Sequence, residues 1–279
     1  MRLSAAVRHF GYVKNWIGTM AFSRLASLRF PSVRTTYSNR QPRNLWSPAG
    51  RAIVFALAAS SIACLLADFY RLCPMRIFAL FIFLPALLAL AVLGVADRTC
   101  GDHELWRGLM IGMGSGFLAA LAYDVFRLPF VFAKVWGIES VIPQLNLFKV
   151  FPAFGSMILG LPPEPTHYSA AVHWIGWTYH FSNGITFGVM FVAMLGEVTR
   201  SRWLWGVAMA IGLELGMLLT PYPSVFGIPV TATFVCATLA AHVIFGGVMG
   251  RSAQWLSSIW RLERGPTHTG AATREQVQP

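Results

Sequence analysis

Between residues 51 and 250 the chain is a series of long apolar runs separated by short polar breaks. A helix needs about 20 apolar residues to cross a hydrocarbon core. Six runs meet that need: 52–70, 77–95, 107–126, 171–196, 203–220 and 227–249. A soluble core has no use for so many, so lipid is the expected solvent and the expected fold is an all-α bundle of six transmembrane helices. A seventh span would come from 146–161, which begins NLFKVFPAFGSMILG and holds Lys149 and Pro152 in a stretch too short to cross comfortably.

Charge decides between six and seven. With six spans and a cytoplasmic N-terminus, seventeen basic residues fall inside and five outside: Arg71, Arg76, Arg127, Lys134 and Lys149. With seven, eleven fall inside and ten outside, and Lys149 is left within the membrane. The positive-inside rule therefore predicts six spans with both termini cytoplasmic. The proline-rich segment 127–168 becomes an outer-face cap or re-entrant loop. The expected home is a bacterial cytoplasmic membrane, with an organellar membrane as the alternative. Tryptophans fit this frame as aromatic belts: Trp106, Trp203 and Trp205 inside, Trp136, Trp174 and Trp177 outside.

Composition adds the flanks. The chain is 56% hydrophobic and 12% charged, yet its net charge is +11, and nine of 22 basic residues lie in the first 51 positions. Residues 1–50 hold no acid; Leu3, Val7, Phe10, Val13, Ile17, Met20 and Leu28 recur at helical spacing, with Arg8, Lys14 and Arg24 off that stripe. This reads as a cationic amphipathic or disordered tail at the membrane surface. A transit peptide and a start placed too far upstream are the alternatives. A cleaved secretory signal is disfavoured by the length of the basic region. No nucleic-acid module accompanies the charge, so the bilayer is the expected partner, not nucleic acid. Beyond residue 250, RSAQWLSSIWRLER is expected as a short cytoplasmic surface helix with Trp255, Leu256, Ile259 and Trp260 on one side, followed by a disordered tail to 279.

Cys64, Cys73, Cys100 and Cys236 form no CxxC pair, which argues against a zinc ribbon or thioredoxin-like site. AASSIAC before Cys64 lacks the branched residue of a lipoprotein cleavage site at Ser61, and the apolar run continues past it. P-loop, Rossmann and serine-nucleophile motifs are absent.

Small residues four apart predict close packing of the third, fourth and fifth spans on one another: Gly108, Gly112, Gly116 and Ala120; Gly184 and Gly188; Gly212 and Gly216. No internal repeat is evident. On those helices lie the polar residues that lipid should exclude. At about 1.5 Å per residue, His180 and Glu214 each lie about 14 Å from an interface, near the midplane. Asp124, about 27 Å from Trp106, falls near the outer surface. His173 shares the face of His180 at interface level, Asn183 lies one turn deeper, and His242 belongs to the inner third as a packing histidine.

Asp124, Arg127, His173, His180, Asn183 and Glu214 are the candidate ligand- or proton-binding residues. A mid-depth His180–Glu214 pair would hold a proton, a cation or a metal. The favoured function is binding or transport of a small molecule or ion through a polar pocket open to the outer face. An intramembrane metal-dependent enzyme acting on a lipid-like substrate is the alternative, with His173, His180 and Glu214 as metal candidates. A haem between His180 and His242 is a weaker idea, and no cofactor is required by the sequence. A structural or assembly subunit is the third reading, in which Asp124 and Arg127 simply pair along a helix end.

Overall fold

The computed structural model describes residues 45–162, 167–196 and 202–263. Apart from 45–50, the expected N-terminal amphipathic segment lies outside the described residues, as does the tail from 264 onward. All regular structure among the described residues is helical. The order is α1 Pro48–Phe69, α2 Met75–Cys100, α3 Glu104–Phe132, α4 Val150–Leu159, α5 Ala170–Leu195, α6 Leu204–Leu218, α7 Tyr222–Val225 and α8 Ala232–Glu263. Four helices are long and apolar enough to cross a membrane: α1, α2, α3 and α8 over Ala232–Trp260. α5 has the length but carries His173, Tyr179, His180, Ser182 and Asn183 between its start and its middle turn, while α6 has only 15 residues.

Polar side chains set the helix starts. Ser47 accepts from the amide of Gly50 at the head of α1, and Ser169 from Val172 at the head of α5. At two corners, the carboxylate ending one helix caps the next. Asp68 accepts from the Met75 amide at 2.5 Å, and Asp97, fully buried, accepts from the Trp106 amide at 2.9 Å. Each satisfies an orphan donor and places negative charge at the positive end of a helix dipole. In α2, a π-turn over Ala79–Phe83 precedes Pro85, whose missing amide would otherwise leave a carbonyl unpaired. α2 is the peripheral member; Phe81 and Leu88 are 74% and 66% exposed on an apolar face suited to lipid.

α3 runs six residues past the predicted end at 126, straight through Pro129. An interior proline forfeits one helical bond, and here outside partners hold the following turn. Leu145 donates its amide to the Phe130 carbonyl, and Gln144 accepts from the Lys134 amide.

α3 and α5 are antiparallel: Gly112 meets Gly188 and Val189, Gly116 meets Gly184, and Asp124 meets His180. The chain therefore leaves α3 and enters α5 at the same end of the bundle. Between them α4 spans only about 15 Å and is antiparallel to α5, with Phe151 against His180 and Gly155 against Val172 and Gly176. α1 also lies on α5, through a Ser61–Thr186 hydroxyl contact at 2.7 Å and a bond from the Tyr179 hydroxyl to the Ser61 carbonyl. α8 packs on the opposite side of α3, and α6 packs on α8.

Two expectations are corrected here. The glycine rows do bring α3 and α5 together, but α6 pairs with α8, not with them. Gly212 and Gly216 face open space, because the close approach is made two to three turns earlier, by Gly206 against Gly246 and Gly250. The helix expected beyond residue 250 is the continuation of α8. Its buried stripe, Ala241, Phe245, Met249, Ala253 and Ser257, keeps a spacing of four without a break, so nothing stops the helix at Gly250. Leu256 and Trp260 join the core, while Trp255 turns away from it.

Candidate functional site

The polar residues gather at the end of the bundle where α3 and α6 finish and α5 and α8 begin. The expected His180–Glu214 pair does not form. His180 Nε2 lies 2.9 Å from Asp124 Oδ2, and His242 Nδ1 lies 3.5 Å from Glu214 Oε2. Depth counting failed for a geometric reason. α3 continues for two turns beyond Asp124, which lowers that residue to the level of His180. α8 starts at Ala232, so His242 is ten residues into its helix, as His180 is into α5.

The first pair is firmly held. Asp124 Oδ1 lies 3.6 Å from Arg127 Nη1. Arg127 is 4% exposed, donates to the Leu147 carbonyl, and lies over the rings of Tyr123, Phe148 and Phe151 at 4.6, 5.0 and 5.2 Å. A buried guanidinium is tolerable only with such partners. Phe151 of α4 also stacks on His180, with centroids 4.1 Å apart. The second pair is looser. His242 Nδ1 donates to the Thr238 carbonyl at 2.9 Å, and no arginine backs Glu214; Met217 stands three residues on.

Two adjoining cavities lie here. One, of about 130 Å³, is lined by His180, Asn183, Glu214 and His242 among aromatic walls that include Tyr123, Phe151 and Tyr222. The other, of about 250 Å³, is bordered by Gln144, Asn146, Lys149 and Thr231. Arg127, Tyr123, Tyr222 and Glu214 line both and form the boundary. Lys149 reaches across the second cavity to the Phe226 carbonyl at 3.3 Å. Burial holds the phenol of Tyr222, on the short helix α7, above its ordinary pKa, so it stays neutral.

Asp124, Arg127, His180, Asn183 and Glu214 are therefore brought together; His173 is not. It is exposed, near Tyr168, and lines neither cavity. The metal candidates His173, His180 and Glu214 do not converge, and among the described residues no three His, Cys, Asp or Glu side chains do. A haem between His180 and His242 would need far more room than about 130 Å³, a space close to that which accepts a single benzene.

The arrangement has a signal in the sequence that a search for long similarity passes over. Gly116, Ala120 and Asp124 are spaced four apart on α3, as are Gly206, Ala210 and Glu214 on α6. His180, Gly184 and Gly188 on α5 are matched by His242, Gly246 and Gly250 on α8. The contacts match as well. A Cβ on Gly116 would strike the Gly184 carbonyl and lie 3.0 Å from the Gly188 amide nitrogen. A Cβ on Gly206 would meet the Gly246 carbonyl at 2.5 Å and the Gly250 amide nitrogen at 3.2 Å. Two helix hairpins, α3–α5 and α6–α8, thus carry the same glycine crossing and the same carboxylate–histidine pair. This corrects the expectation that no internal repeat is present.

Comparison with protein-family models, curated proteins and solved structures finds no match.

Proposed function

We propose that the chain is a six-span membrane protein, with both termini cytoplasmic, that binds a small molecule or ion in these cavities and admits it from the outer face. The observation that carries this reading is Glu214, a carboxylate 7% exposed that lines both cavities and whose nearest basic group is an imidazole at 3.5 Å. Such a group within apolar helices is costly unless something charged or protonated meets it. The six-span count is supported by the helix directions: α1 and α3 each run antiparallel to α5, and α8 runs antiparallel to α3 and α6. A re-entrant role for 133–169 is supported by α4, which begins beside His180 and rises along α5 toward the end where that segment started.

The test is a solute panel on protein purified in mild detergent, read by thermal midpoint, with Glu214→Gln and His180→Ala alongside. A binding protein gains stability from some small solute, and the variants lose that gain while still folding. If no solute stabilises the protein and both variants only lose detergent stability, the pocket is a structural lock and the proposal fails.

A further inference from the structure

Of the two carboxylates at the site, only one is balanced by a permanent cation. Asp124 faces Arg127 at 3.6 Å, whereas Glu214 faces His242. His180 donates through Nε2 to Asp124, and His242 through Nδ1 to the Thr238 carbonyl. Asn183 Oδ1 is buried without a hydrogen-bond partner. Around the smaller cavity stand Glu214, Asn183, His180 and His242. Arg127 also borders it; its charge is balanced by Asp124 and one nitrogen donates to the Leu147 carbonyl, while Nε and Nη1 make no hydrogen bond. With Arg127 balanced by Asp124, the cavity keeps one negative charge, that of Glu214, without a permanent cation against it. Its walls are Tyr123, Phe151, Phe154, Tyr222 and Phe245, rings whose faces attract a cation.

Resting on the binding reading above, we infer that the occupant is one small protonated amine. Its ammonium hydrogens meet Glu214 and Asn183, and its apolar body, no bulkier than a benzene ring, lies against the aromatic walls.

Isothermal titration of the full chain in mild detergent, with three solutes of one shape, tests this: isobutylammonium chloride, isobutanol and sodium isobutyrate. Isobutylammonium is expected to bind one per chain, with the alcohol and the carboxylate at least roughly tenfold weaker. Glu214→Gln should weaken isobutylammonium by at least roughly tenfold; Asn183→Ala, which keeps the carboxylate, should weaken it less and serves if the first variant does not fold. Equal binding of isobutanol would mean a merely apolar cavity, and preference for isobutyrate would mean that Arg127 selects an anion. Either overturns the amine while the binding reading stands, as would unchanged affinity in both variants. Binding of none of the three, with a solute of another class stabilising the protein in the panel, also removes only the amine. Binding of nothing in either experiment removes both.

Discussion

The hairpins α3–α5 and α6–α8 share a glycine crossing and a carboxylate–histidine pair, and differ in what surrounds that pair. Around Asp124 and His180 the chain adds Arg127 from the next turn and Phe148 and Phe151 from the re-entering segment, and the pair closes to 2.9 Å. Around Glu214 and His242 it adds Met217 and a backbone carbonyl, and the pair stays at 3.5 Å beside open volume. A buried carboxylate balanced by an arginine works as a fixed part, because separating the two charges is costly. One left short of a counter-charge can respond to a ligand. The same motif thus serves as a clamp in one hairpin and as a receptor in the other.

The sharpest way to break this comparison is to remove each carboxylate in turn. Asp124→Ala strands a buried guanidinium and should cost about 3–5 kcal/mol in a denaturing-detergent titration. Glu214→Gln should cost less than about 1 kcal/mol, since it removes a charge that lacks a full partner. Equal losses at the two positions would sink the distinction. Next in size are the crossings. Gly116→Leu and Gly206→Leu should each destabilise by about 1–3 kcal/mol through overpacking. Gly216→Leu, with nothing nearby, should stay within about 0.5 kcal/mol; a loss there equal to the other two would mean that α6 packs through its far row. Met217→Arg gives the second hairpin the charge of the first, and amine affinity should fall at least roughly tenfold in the same titration. Smallest is His173→Ala, expected to leave stability within about 0.5 kcal/mol and binding untouched; a binding defect would place the site elsewhere.

Helix positions were legible because lipid imposes a plain rule on composition: each of the six predicted runs falls largely on a helix, with boundaries shifted by no more than about six residues except at the end of α8, which continues to Glu263. Pairing was less legible. Gly112, Gly116, Gly184 and Gly188 pointed to the right contact, but Gly212 and Gly216 look the same in sequence and touch nothing. Small residues permit close approach without saying which helix approaches. At the site, Asp124, Arg127, His180, Asn183 and Glu214 stood out as polar residues in apolar runs. Their partners did not, because counting depth from assumed interfaces misjudged α3 by two turns and α8 by its starting residue. The aromatic rings around Arg127 come partly from 148–151, beyond the reach of helical periodicity. The corner carboxylates Asp68 and Asp97 drew no notice, since a lone acid at a span end resembles any solvated loop residue until the amide it meets is seen.

The glycine crossings also decide where the packing can give. At each glycine crossing, backbone lies directly on backbone, with no side chain between the helices to yield. α3 meets α8 differently, through rings: Tyr123 against His242 and Phe245. Rings can turn about their bonds while main chain in contact cannot be compressed. The crossings are therefore the incompressible contacts of the bundle, and the aromatic seam between the hairpins is where side-chain rotation can absorb a change.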